Sequence, residues 1–103
     1  MRESDIQKLI IRYFENDGWL VVKIIQTNKN GWPDLQVHKN NYTIFVEVKS
    51  ENGKLSELQK YRHEQLREKG FIVIITSSLK HLENELIRIG EELHKKWSFS
   101  YLN

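Results

Sequence analysis

The stretch GWPDLQVHKNNYTIFVEVKS, residues 31–50, decides the fold and carries an unexpected pattern of charge. Its second half is a run of β-branched and aromatic residues, typical of a strand, that nevertheless contains Glu47 and Lys49. A polar segment, residues 39–41, separates this run from a shorter strand pattern that follows Pro33. Two strand patterns joined by a short polar turn predict an antiparallel hairpin.

The predicted hairpin strands run from Asp34 to His38 and from about Tyr42 to Lys49. Successive side chains of a strand point to opposite faces of the sheet. One face of the second strand therefore holds three aliphatic side chains, Ile44, Val46 and Val48. The other face holds an aromatic ring and two charged groups, Phe45, Glu47 and Lys49.

The segment before the hairpin predicts a helix and a buried strand. Apolar residues recur at helical spacing between Ile6 and Phe14, and Ser4 with Gln7 has the spacing of a capping box that would start the helix. The run WLVVKII, residues 19–25, suits a strand in the interior of a sheet.

The segment after the hairpin predicts a helix, a strand and a second helix. Ser56 and Gln59 have capping-box spacing at the start of a helix that ends near Gly70. The apolar run FIVIIT, residues 71–76, is typical of a strand covered on both faces. A stripe of apolar residues at three- and four-residue steps marks the last helix: Leu79, Leu82, Leu86, Ile89, Leu93 and Trp97.

The predicted order is αβββαβα, over one domain that spans residues 1–103. A helix between the third and fourth strands implies a parallel pair with a right-handed crossover, whereas the hairpin is antiparallel. The predicted fold class is therefore α/β, with a four-stranded mixed sheet flanked by helices.

Composition excludes several classes of protein. Hydrophobic residues at 39% and charged residues at 29% describe an ordinary globular chain. The absence of cysteine excludes disulfides, thiolate catalysis and zinc sites of the cysteine type. No segment has the length of a membrane span or the apolar run of a signal peptide, so we expect a cytoplasmic protein. The formal net charge of +2 is too small for bulk electrostatic binding of nucleic acid, so DNA contacts must come from local basic patches.

Three charged side chains are expected to share one site. Glu47 and Lys49 lie on one face of their strand, and the hairpin can bring Asp34 close to them. Carboxylate oxygens hold Mg²⁺ or Mn²⁺ together with waters and phosphate oxygens. The lysine can orient an attacking water and offset the charge that grows on a phosphate during hydrolysis. These groups suit phosphodiester hydrolysis; the alternative is that they simply face water.

The order of these motifs resembles the virus-type replication-repair nuclease domain, VRR-NUC, of the PD-(D/E)XK nuclease superfamily. The resemblance rests on GWPDLQV, a hairpin, FVEVKS and then GKLSELQ at the opening of a helix, and it extends from ESDIQ to FIVIIT. Each piece alone recurs by chance, but the order and the hairpin spacing make the combination specific. The resemblance implies a restriction-endonuclease-like core.

The resemblance also implies roles for individual residues. Asp34 and Glu47 would be the metal-binding carboxylates, with the backbone carbonyl of Val48 as a third ligand. Lys49 would be the catalytic lysine, and Gln59 would reach into the site from the following helix. For Gln59, capping of that helix is the alternative explanation.

Several further residues are candidates for the site or for contacts with DNA. Glu3 resembles the acidic residue of the family's first helix, which approaches the metal from the side, and Asp5 is the competing candidate. Candidates for contacts with DNA are Lys54, Lys60 and Lys29. The histidines show no metal-ligand spacing to each other and are interpreted as ordinary surface or boundary residues: His38, His63, His81 and His94.

The implied function is that of an endodeoxyribonuclease dependent on Mg²⁺ or Mn²⁺. Stand-alone members of the family, found in phages and bacteria, are implied to act as homodimers on branched DNA, especially four-way (Holliday) junctions in repair and recombination. Paired cuts suit two sites related by a two-fold axis. The stripe from Leu79 to Trp97 is the candidate dimer contact, with packing against the sheet as the alternative. Other possibilities are a flap-cutting or restriction-like nuclease, a catalytically inactive DNA-binding module of the same fold, and a protein-interaction domain.

Overall fold

The structure is a computed structural model that describes residues 1–96, with side chains through residue 92. Its elements follow the predicted order: α1 (Glu3–Asn16), β1 (Leu20–Lys23), β2 (Leu35–Lys39), β3 (Tyr42–Val48), α2 (Glu57–Glu68), β4 (Ile72–Thr76) and α3 (Leu79–Lys96). None of the helices in this part of the chain has the length and apolar character needed to cross a membrane. Trp97, the last residue of the predicted stripe, lies outside the described residues.

The four strands form one sheet in the order β1-β2-β3-β4. β1 pairs with β2 and β2 with β3 in antiparallel fashion, whereas β3 and β4 are parallel. Parallel neighbours need a crossover of a dozen or more residues, and α2 with its flanking loops provides it. The predicted α/β class and mixed sheet are confirmed.

A two-residue turn sets the register of the β2–β3 hairpin. Asn40 and Asn41 have φ angles of 50° and 70°, and Lys39 pairs directly with Tyr42. Two successive residues with positive φ match the right-handed twist of the strands, and asparagine tolerates this conformation well. The turn therefore decides which residue of β3 lies beside Asp34, at the far end of β2.

Helices α1 and α3 cover one face of the sheet. The main buried cluster there joins ten aliphatic and aromatic side chains, Ile6, Ile10, Phe14, Leu35, Val37, Ile44, Val46, Val48, Ile74 and Leu82. Leu79, Leu86 and Ile89 pack against this cluster. The described part of the α3 stripe therefore packs against the sheet, as the alternative interpretation held, with Leu82 fully buried and Leu79, Leu86 and Ile89 partly buried.

Helix α2 covers part of the opposite face. A smaller buried cluster there contains Phe45, Leu66 and Val73, with Trp32 packed against it. The predicted alternation in β3 is confirmed, because Phe45 lies in this cluster while its neighbours in the strand belong to the main one.

Two local predictions were wrong. Helix α1 begins at Glu3 with Arg2 as its N-cap and no capping side chain, so Ser4 lies inside the helix and forms no capping box. The strand predicted for residues 19–25 is not interior: β1 is at the edge of the sheet, and Leu20 is 65% exposed. The apolar run predicted a buried strand wrongly because α2 packs over β3 and β4. The side of β1 that lies on the same face of the sheet as α2 is therefore uncovered.

Gly31 lets the loop between β1 and β2 press against α2. Its φ is +81°, and a Cβ atom at this position would lie 2.7 Å from the carbonyl oxygen of Leu58. Arg62 Nε donates to the carbonyl oxygen of Asn30 at 3.0 Å, which ties the same loop to the same helix. The loop that leads to Asp34 is therefore held against α2 at two adjacent residues.

We expect Gly31→Ala to lower the free energy of unfolding by about 2–4 kcal/mol, because the left-handed φ and the displaced backbone both disfavour a side chain. Equilibrium urea denaturation measures this change. Gly70→Ala is the matched control, since Gly70 has a φ of +92° but no atom within 4 Å of a Cβ. Gly70→Ala should lower the free energy of unfolding by about 1 kcal/mol, because only the left-handed backbone conformation disfavours alanine there. Equal losses in the two variants would contradict the contact with Leu58.

Candidate active site

Asp34 lies at the entry to β2 and is tied to both neighbouring strands. Its Oδ2 accepts the backbone N–H of Val48 at 2.7 Å. Its own carbonyl oxygen accepts the N–H of Ile24 at 2.8 Å. Pro33, which precedes it, is buried and has a fixed φ, so it directs the chain into the strand. Asp34 is therefore held with its carboxylate against the end of β3.

Glu47 and Lys49 lie on one face at the end of β3. Glu47 is only 2% exposed, which is unusual for a carboxylate, and Lys49 is half-buried. The carboxyl groups of Asp34 and Glu47 are close enough to share a hydrogen bond when one of them is protonated. The structure thus brings together the three side chains that the strand alternation and the hairpin led us to expect.

The two carboxyl groups disfavour each other's charge. The pKa of Asp34 is raised from its ordinary value of 3.8 to about 7, first by burial and then by the hydrogen bond and negative charge of Glu47. The N–H of Val48 and the ammonium group of Lys49 oppose it. A positive charge between the two groups would favour the ionised form of Asp34.

The oxygens of this site fit a hard divalent cation. Asp34 and Glu47 offer carboxylate oxygens, the ligands that Mg²⁺ and Mn²⁺ prefer, and a cation would relieve their repulsion. No three His, Asp or Glu side chains converge as a metal cage within the described residues. The remaining ligands would therefore be backbone oxygen, for which the Val48 carbonyl is the candidate, and water, which Mg²⁺ usually retains.

Of the two acidic candidates on α1, Glu3 is the one that contacts the chain just beyond β3. Its Oε2 accepts the backbone N–H of Ser50 at 3.2 Å, one residue beyond Lys49. Asp5 instead forms an exposed ion pair with Arg2 at 3.3 Å. The early start of α1 explains this placement, because Glu3 belongs to the first helical turn rather than to a frayed end.

Gln59 forms the capping box predicted for α2. Its Oε1 accepts the N–H of Ser56 at 2.9 Å, and its own N–H donates to Ser56 Oγ at 3.1 Å. The capping box is therefore confirmed. Because the cap uses the amide oxygen, only the side-chain NH₂ group of Gln59 is left to contact a substrate.

The three lysines proposed for DNA contacts are all exposed. Lys29 lies in the loop that precedes Asp34, and Lys54 lies in the loop between β3 and α2. Lys60 forms an exposed ion pair with Glu57 at 3.2 Å, which a phosphate would have to compete with. Lys29 and Lys54 therefore lie on the two loops that border the site.

His63 corrects the prediction that every histidine is an ordinary surface or boundary residue. It is fully buried, and its Nε2 donates to Glu47 Oε1 at 3.0 Å. The physical reason is that a buried carboxylate needs a hydrogen-bond donor, and α2 supplies one from its sheet-facing side. A sequence signal existed, because His63 lies four residues after Gln59 and three before Leu66, on one face of the helix.

Comparisons with known proteins agree with this geometry. The sequence model of the VRR-NUC domain matches residues 2–79. A solved structure described as a VRR_NUC domain is 35% identical with a TM-score of 0.74, and the match covers 82% of this chain and 92% of that one. A second, described as a VRR_NUC domain protein, is 16% identical with a TM-score of 0.69 over 85% and 87% of the two chains, and it shows the fold alone. No curated protein matches the sequence significantly.

The fold and the family match define a nuclease of the PD-(D/E)XK type, a class of hydrolase that implies DNA as substrate. Within that class, the chain belongs to the VRR-NUC family, whose members generally depend on a divalent metal.

The raised pKa of Asp34 predicts how the stability of the metal-free protein depends on pH. Folding raises this pKa from 3.8 to about 7, so the folded state binds the proton more tightly than the unfolded state. The resulting stabilisation is complete below about pH 4 and is lost as the pH rises through about 7. Asp34→Asn removes this dependence and still accepts the Val48 N–H.

In EDTA, the wild type should therefore lose stability as the pH rises from 5 to 8, and Asp34→Asn should not. The difference between their free energies of unfolding should change by about 1–2 kcal/mol in favour of Asp34→Asn over this range, after allowance for solvent screening. Urea denaturation across this pH range measures the difference. Parallel curves for the two proteins would contradict the raised pKa.

Proposed function

We propose that this chain is a divalent-metal-dependent endodeoxyribonuclease that hydrolyses phosphodiester bonds. The observation that carries the proposal is the contact between the Asp34 and Glu47 carboxyl groups beside Lys49, with the pKa of Asp34 raised to about 7. Two carboxylates repel a polyanionic substrate unless a cation lies between them. A protein that only bound DNA would gain nothing from this pair.

Asp34 and Glu47 would hold Mg²⁺ or Mn²⁺, with the Val48 carbonyl as a third ligand and Glu3 at the side of the site. The bound cation would act as a Lewis acid on the scissile phosphate and offset the charge of the carboxylates. The N–H of Val48 keeps Asp34 in place, since it holds Oδ2 at 2.7 Å and leaves Oδ1 for the cation.

Lys49 would act on the reacting groups directly. Its side chain hydrogen-bonds the attacking water and stabilises the negative charge that grows on the phosphate oxygens in the transition state. As the water oxygen bonds to phosphorus and gives up a proton to solvent, the bond to the leaving sugar oxygen breaks and that oxygen takes up a proton from solvent. The side-chain NH₂ group of Gln59 can donate to the same phosphate or to the water, while its amide oxygen caps α2.

The cleavage chemistry predicts which substitutions abolish activity. With Mg²⁺ or Mn²⁺ and labelled DNA, Asp34→Asn and Lys49→Ala should each lower the rate of cleavage at least about 100-fold, since each removes a group that acts on the transition state. Glu92→Gln, on the exposed surface of α3, is the control and should cleave like the wild type. If the wild type leaves every substrate intact, or if the two site variants retain full activity, the proposal is wrong.

We also propose that the substrate is branched DNA, in particular the four-way junction, and that the active form is a homodimer. The family resemblance supports this choice, because the symmetric cuts of a junction suit two active sites related by a two-fold axis. Contacts with the phosphate backbone would come from Lys29, Lys54 and Lys60. The low net charge favours such local contacts over bulk attraction.

The substrate proposal predicts an order of cleavage among four DNAs: the four-way junction first, ahead of flap, linear duplex and single strand. Light scattering coupled to size-exclusion chromatography should give the mass of a dimer at the concentration used for cleavage. Equal cleavage of the four DNAs would exclude junction selectivity, and preferential flap cutting would favour the flap-nuclease alternative. A monomeric mass would remove the two-fold axis on which paired cutting depends.

A further inference from the structure

We propose that His63 is a positioning residue that orients the Glu47 carboxylate for binding a divalent cation. This inference rests on the proposed function and adds to it a residue outside the motifs on which the family resemblance was built. His63 lies on α2 and Glu47 on β3, sixteen residues apart in the chain. The contact therefore depends on how the helix packs against the sheet.

The hydrogen bond between these residues is completely enclosed. His63 is 0% exposed and Glu47 is 2% exposed, and Nε2 lies 3.0 Å from Oε1. A hydrogen bond is stronger in such surroundings than in water, and a buried carboxylate without a donor is costly. Glu47 thus has a hydrogen-bond donor on one side, and water does not compete for that bond.

The bond selects one orientation of a carboxylate that is otherwise free to turn. The last torsion of a glutamate side chain has broad preferences, so packing alone does not fix the plane of the carboxyl group. With Oε1 held by His63, Oε2 is the oxygen left to face Asp34 and a cation. Removing a side chain that holds a metal ligand by a hydrogen bond typically lowers metal affinity or activity by about 10- to 100-fold.

The other ring nitrogen supports a role directed at Glu47. His63 Nδ1 is buried and has no hydrogen-bond partner among the described residues. A histidine kept only to fill the space between helix and sheet would be replaced by an apolar side chain at a gain in stability. Within residues 1–92, the one hydrogen bond of the ring is with the proposed metal ligand.

The experiment compares three variants of His63 by isothermal titration with Mn²⁺ in the absence of DNA. His63→Phe keeps a ring but has no donor, and it should bind Mn²⁺ about 10- to 100-fold more weakly than the wild type. His63→Gln places an NH₂ group at the ε position and should restore most of the affinity. His63→Asn, whose amide is one carbon shorter, should behave like His63→Phe.

His38→Phe is the matched control. His38 also forms a side-chain hydrogen bond, to Thr43 at 2.9 Å, but lies at the far end of β2 from Asp34. Its substitution should leave Mn²⁺ affinity unchanged. With saturating Mn²⁺ and DNA, the His63 variants should show a lower kcat with little change in KM, because His63 touches the ligand of the cation and not the substrate.

Wild-type Mn²⁺ affinity in His63→Phe, or an equal loss in His63→Gln and His63→Asn, would overturn the inference. If His63→Phe fails to fold in EDTA, the Gln and Asn pair decides the question, since both are polar and differ in reach alone. A wild type that binds no Mn²⁺ would also overturn it. If the Mn²⁺ affinities follow the expected order but no DNA is cut, the positioning role stands and the nuclease proposal fails.

Discussion

The repulsion between two carboxyl groups is the constraint on which this site depends. Asp34 and Glu47 meet at the end of β3 in surroundings that disfavour charge, and the pKa of Asp34 rises to about 7 as a result. A fold gains no stability from such a pair, and a well-packed pair of apolar side chains would cost less. Proteins retain unfavourable pairs of this kind where function requires them, and here the requirement is a cation that both groups can share.

The rest of the local structure holds this pair in place. The N–H of Val48 fixes Asp34 and the imidazole of His63 fixes Glu47, so each carboxylate has one oxygen bound by the protein. The contact of Gly31 with α2 links these two hydrogen-bonded pairs, because the loop before Asp34 packs against the helix that carries His63. Both carboxylates are therefore positioned by one packing interface between a loop, a helix and a strand.

Local patterns account for most of what could be predicted. The hairpin, the face shared by Glu47 and Lys49, and the capping box of Ser56 and Gln59 follow from turn chemistry, strand alternation and short-range spacing. Two failures have a common cause: β1 and His63 were assigned from their own segments, whereas their exposure depends on which part of the sheet α2 covers. The start of α1 was predicted too late because Ser4 and Gln7 have capping-box spacing, whereas Glu3 already belongs to the first helical turn.

By itself, the sequence determined the order of the elements, the mixed sheet and the meeting of Asp34 with Glu47 and Lys49. Period-two alternation and a two-residue turn are properties of neighbouring residues, and they set the register that brings these groups together. Only the tertiary structure decided that Glu47 is enclosed with His63, and that Glu3 rather than Asp5 contacts the backbone beyond Lys49. Those outcomes depend on how helices pack across the sheet, which joins residues far apart in the chain through contacts that no local pattern encodes.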